Sequence, residues 1–193
     1  MCKMFVFVGL TLGLLVLGAA QTAANPLPWP PGHIILTRDI TGSDNIINDP
    51  QGTVTVYVFL SAYAGTQAVG CTFSAPKPSC FNAQYLGETH TFPLTAGDTQ
   101  NGMNVAFGSC VNPPQLIAEI FYEVVGYTPQ CCIYWVRPHP VSESGHIEIV
   151  DCDENVIYGE GGYLIFNDDG AACQSVLPVE DSTWGKVKSL YAQ

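Results

Sequence analysis

Between Thr53 and Tyr63 the chain alternates without a break. Val54, Val56, Val58, Leu60 and Ala62 fall on one face, and Thr55, Tyr57, Phe59, Ser61 and Tyr63 on the other. A period of two puts successive side chains on opposite sides of an extended strand, which a helix of period 3.6 cannot reproduce over such a length. The segment His146 to Val150 repeats the pattern, Ile147 and Ile149 against His146 and Glu148. Turn-forming clusters punctuate the rest: NDPQG at 48–52, SAPKPS at 74–79, TAGDTQNG at 95–102, GEGG at 159–162 and NDDG at 167–170. Short β-prone runs between such turns specify an all-β fold, an antiparallel β-sandwich, C2-like or immunoglobulin-like. Further strands are expected at 33–39, 68–74, 81–92, 103–110, 131–137 and 162–167.

One segment is ambiguous. In PPQLIAEIFYEVVG, apolar pairs recur every four residues between Asn112 and Gly126, as in an amphipathic helix capped at both ends. Its β-branched content and the surrounding β pattern weigh slightly toward a buried strand. At most one short helix, near 114–125, is therefore expected.

The first twenty residues, MCKMFVFVGLTLGLLVLGAA, read as a cleaved secretory leader: Lys3, an apolar stretch from Phe5 to Leu17, then small residues. Residues 1–20 are thus expected to be a signal peptide, 21–32 an extended lead-in and 33–193 a single domain, secreted and extracellular. Cys2 leaves with the leader. Cys71, Cys80, Cys110, Cys131, Cys132, Cys152 and Cys173 remain as disulfide candidates, enough for up to three bridges and one odd thiol. Loop closure favours Cys71 with Cys80 and Cys152 with Cys173. The neighbours Cys131 and Cys132 would point to opposite faces if they lie on a strand, so that one could bridge toward Cys110 while the other stays free or pairs between chains.

The chain carries 17 Asp and Glu against 6 Lys and Arg, a net charge of -11. That balance argues against gripping a phosphate backbone or an anionic membrane surface. A hydrophobic content of 47% argues against intrinsic disorder. No GxSxG, HExxH, P-loop or dinucleotide fingerprint occurs, and His33, His90, His139 and His146 are scattered, so no catalytic residue is assigned and the chain leans away from being an enzyme.

The acids concentrate after residue 140, in the loop-like runs DCDEN at 151–155 and NDDG at 167–170. The run IEIVDCDENVIYGEGGYLIF is similar to the strand, Asp-x-Asp, loop and strand region of C2 domains. That resemblance implies calcium as the one cofactor, held by Asp151 and Asp153. A second loop, LTRDITGSDN, could add Asp39 and Asp44. Solvated turn acids explain the same residues and carry more weight. A second candidate surface is aromatic, formed by Tyr57, Phe59 and Tyr63, for stacking on a sugar or a protein. The expected function is a secreted, disulfide-stabilised binding module for an extracellular protein or carbohydrate, calcium-assisted at the acidic loops. A small secreted hydrolase, or an effector, toxin or inhibitor, is the alternative. The ligand and the oligomeric state are not legible.

Overall fold

The computed structural model describes residues 32–61, 67–170 and 173. The leader, most of the lead-in, Tyr63, Trp29 and Trp184 lie outside the described residues. The chain is an antiparallel β-sandwich, with no helix among the described residues. One sheet has the order β1-β3-β8-β5: Ile34–Thr37, Thr53–Leu60, Gln115–Val124 and Ala83–His90. The facing sheet has the order β11-β10-β4-β7-β6: Val156–Gly159, Ile147–Asp151, Ala68–Phe73, Gly102–Val111 and Leu94–Asp98. A three-stranded layer, β2-β12-β9 (Ile46–Ile47, Tyr163–Phe166, Cys132–Trp135), lies alongside β1; its β2–β12 pair is parallel.

The core follows from the alternation. Val54, Val56, Val58 and Leu60 of β3 are buried against Cys71 and Phe73 of β4, Met103, Val105 and Phe107 of β7, and Ile147 and Ile149 of β10. The ambiguous segment is strand β8, central in its sheet between β3 and β5. Ile117, Ala118, Ile120 and Tyr122 of β8 all enter the core, and two-sided pairing overrides the helical spacing. The Pro113–Pro114 peptide bond, cis, lies in the turn before it. β6 runs through a stretch that reads as a turn, and β11 forms where no strand is expected. Both are edge strands, fixed by pairing with β7 and β10.

The disulfides differ from the loop closures expected above. They join Cys80 to Cys132, Cys110 to Cys152, and Cys131 to Cys173; Cys71 is a free, buried cysteine. Cys71 sits mid-strand with its side chain in the core, away from the turn that carries Cys80. Ala68 at the start of β4 pairs with both Val111 and Asp151, which draws Cys110 and Cys152 together across that strand end. Cys131 lies in the turn before β9 and only Cys132 is on the strand; neither reaches Cys110, since Cys131 clamps Cys173 and Cys132 the turn before β5.

A polar clasp joins β1 to the β11–β12 crossover. The His33 N–H donates to the Glu160 carbonyl at 2.7 Å, and the Glu160 N–H donates to His33 Nδ1 at 3.2 Å. Burial lowers the His33 pKa below its ordinary value of 6.5, against the opposing pull of Glu160. The fold thus favours neutral imidazole. Its contribution to stability is present above the unfolded-state pKa and is lost as pH falls through the folded one. An NMR titration is expected to give a His33 midpoint below 6.5, with the proton on Nε2; a midpoint above 6.5 would contradict the clasp.

Candidate functional site

Among the described residues, none of Asp39, Asp44, Asp151 and Asp153 belongs to a group of three ligand-type side chains within reach of one ion. Asp39 organises its own loop: its carboxylate accepts the Thr41 hydroxyl, the Thr41 N–H at 2.8 Å and the Asp44 N–H at 2.7 Å. Burial would raise its pKa, but the hydrogen bonds from Thr41, Ser43 and Asp44 outweigh it and hold the carboxyl below its usual value. Asp44 pairs with Arg38 at 2.7 Å and accepts the Ile46 N–H. Asp151 closes the β10–β11 turn, accepting the Asn155 N–H at 2.8 Å and the Asp153 N–H at 2.9 Å. Those bonds from Asn155 and then Asp153 lower its pKa. Among the described residues, the one group of three ligand-type side chains within 4.8 Å is Cys131, Asp169 and Cys173, two of which share a disulfide. The carboxylates of Asp39, Asp44 and Asp151 each accept backbone N–H groups of their own turns.

The aromatic face is also interrupted. Phe59 is only 4% exposed, and its ring lies beneath Gly42 of the Asp39 loop. Tyr57 is half-buried, and Tyr63 lies outside the described residues.

Acid, histidine and hydroxyl groups meet in two places. Glu88, buried on β5, accepts from His90 Nε2 at 2.6 Å and from both the N–H and the hydroxyl of Thr99. Thr99 follows β6, so the carboxylate ties one sheet to the other. Next to it Gln100 bonds the Tyr122 hydroxyl at 3.0 Å, and Tyr122 and Tyr134 share a 2.7 Å hydrogen bond. Burial, first, pushes both phenols above their ordinary range. This is a satisfied structural network.

The second place opens to solvent. The strand registers of the five-stranded sheet align two rows on its outer face. The first row runs Val156, Val150, Gly70, Ala106, Leu94; the second runs Tyr158, Glu148, Thr72, Asn104, Ala96. Small residues at Gly70, Ala106 and Ala96 sink the middle of the face into a groove of about 610 Å³, walled by Pro93 and Leu94 on one side and Val150 on the other. Gly70 cannot grow a side chain in place, because a Cβ there would stand 2.7 Å from the Val105 carbonyl oxygen. At one end the groove continues past Thr72 and Asn104 into a polar recess of about 340 Å³, bounded by His139, Val141, Ser142, Glu143 and Glu148. There Glu148 Oε1 accepts the Ser142 hydroxyl at 3.1 Å and the Ser144 hydroxyl at 2.7 Å. His139 Nδ1 accepts the Val141 N–H at 3.2 Å, and its ring lies over Gly102.

Neither hydroxyl of the recess is handed to a histidine, so the arrangement holds no nucleophile and base pair. Chemically it is a shallow apolar trough with acceptors at one end. Sequence reading placed Glu148 among the acids and on the polar side of its strand, but missed the trough. Its signal is the alternation MNVAFG at 103–108, where large Met103, Val105 and Phe107 face in and small Asn104, Ala106 and Gly108 face out.

No family model matches the sequence, and no curated protein matches it either. Among solved structures, the chain is similar to the cohesin module of a family 33 glycoside hydrolase from Clostridium perfringens ATCC13124, at 5% identity and TM-score 0.42, over 72% of this chain and 99% of that one. It is similar to a non-cellulosomal cohesin from the archaeon Archaeoglobus fulgidus, at 13% identity and TM-score 0.43, over 77% and 99%. A third is the sixth cohesin of scaffoldin B from Acetivibrio cellulolyticus, solved in complex with a Cel5 dockerin, at 11% identity and TM-score 0.43, over 72% and 99%. At these scores the likeness assigns neither a family nor a partner.

Proposed function

We propose that this chain is an extracellular protein-binding module that docks its partner on the outer face of the five-stranded sheet. One observation carries the reading. Eight large apolar side chains are exposed among the described residues, and Leu94, Val141, Val156 and Tyr158, at 57–78% exposure, all stand on this face or on the lip of its recess. Singly exposed apolar residues are ordinary, whereas a grouped set around an open groove marks an interaction surface. The groove is a shallow trough on a broad sheet face, which suits a protein segment. The sugar-stacking reading lost Phe59 to the Asp39 loop and is not carried forward. Three disulfides and the leader-like first twenty residues support an oxidising compartment.

The test is to fill the trough. Ala106 is exposed on a central strand, so Ala106→Arg obstructs the face without entering the core. Immobilised wild-type protein is expected to capture a defined species from the extracellular material of its source. Ala106→Arg should weaken that capture about tenfold or more, a central hot-spot effect. Glu119→Arg, on the opposite sheet, should leave it unchanged. Equal capture by wild type and Ala106→Arg would end the reading.

A further inference from the structure

Resting on the reading of this face as a docking surface, the chemistry of its polar end narrows the partner. We propose that the docked protein segment is apolar and carries one lysine or arginine, whose cationic head seats on Glu148. Glu148 does not lie at the rim. It stands on β10, one strand in from the edge of the sheet, with the exposed Tyr158 outside it on β11 and Thr72 inside it on β4. A partner that covers the apolar row also covers this carboxylate, and an ion removed from water without a counter-charge is costly. The two serine hydroxyls fix the carboxylate by binding Oε1. Among the described residues nothing donates to Oε2.

The surroundings supply acceptors and a π face. Asn104 Oδ1 takes the Thr72 hydroxyl, Glu143 adds a second carboxylate, and no lysine or arginine lines either part of the groove. Of the bases elsewhere, Arg38 is paired with Asp44, and Lys77 donates to the Phe81 carbonyl at 2.8 Å. Tyr158, 60% exposed, is held by its ring contact with His146 at 5.2 Å, an aromatic surface beside Glu148 on which a cation can rest. A calcium ion would need six to eight oxygens, more than this recess gathers. Across the whole chain a net charge of -11 draws a basic segment in and keeps an acidic one off.

The probe is a library of short peptides displayed on phage, selected on the immobilised wild-type protein and counter-selected on Ala106→Arg. Peptides whose binding depends on an open trough are expected to be apolar with a lysine or arginine at a constant offset. Glu148→Gln, which keeps an acceptor for both serines, should weaken them about tenfold and flatten their salt dependence. Glu148→Lys should instead select aspartate or glutamate at that offset. Melting temperatures of the variants, compared with wild type, confirm that each remains folded. Trough-dependent peptides with no basic residue, or with undiminished binding to Glu148→Gln, overturn the proposal and leave the docking face standing. A selection that yields no trough-dependent peptide overturns both.

Discussion

Replacing Cys80 and Cys132 together by alanine is expected to lower the unfolding free energy by about 4 kcal/mol. The bridge spans 52 residues, so its loss returns a large closed loop to the unfolded ensemble. Its position adds to this. Cys132 is 2% exposed and opens β9, while Cys80 belongs to the turn before β5, so the bond fastens the three-stranded layer to the edge of the main sandwich. Cys132 packs with Phe166 and Tyr134 in the core, and those contacts loosen when the turn is released. Removing both sulfurs leaves no new thiol to mispair. Denaturant unfolding checks the value, and a loss below about 1 kcal/mol would show that packing alone holds the layer in place.

Phe81→Ala is expected to cost about 3–5 kcal/mol, the range for emptying an aromatic site in a core. Phe81 is fully buried; its ring stacks on Phe166 at 4.0 Å and meets Tyr122 edge-on at 5.2 Å. It follows Cys80 directly and bridges the same two layers, so the two changes share partners. Their effects should not add: the triple variant is expected to lose less than the sum of the two separate losses. A simple sum would mean that the disulfide and the ring stabilise the layer independently. Phe81→Leu, which keeps most of the volume, should cost less than half as much as the alanine variant.

The features legible in the sequence were those set by local pattern. β3 announced itself because one face is buried and the other is not, and β10 did the same in five residues. β8 carried two readings because a central strand is apolar on both sides, and its spacing says nothing about which neighbours it will have. β6, with the sequence LTAGD, has almost no β propensity of its own; it is a strand because β7 pairs with it residue by residue. The candidate site suffered in the same way. Aspartates drew attention because their type suggests metal chemistry, yet Asp39 and Asp151 spend their oxygens on turn N–H groups a few residues away. The trough is built from Gly70, Ala96 and Ala106, residues without chemistry, and it exists only once four strands lie in register.

Cys71 gives the odd cysteine count a different meaning. Cys71 is 3% exposed, and burial drives the thiol pKa far above the ordinary value, which disfavours the thiolate that would attack a disulfide. Among the described residues it is the one free thiol. With the strands assembled, the three bridges therefore have no nucleophile inside the described protein to reshuffle them. Seating β4 between β10 and β7 withdraws the Cys71 sulfur from reaction. The sandwich is in this sense the protecting group for its own cross-links, and scrambling of the pairing by Cys71 has to pass through a state in which β4 has left the sheet.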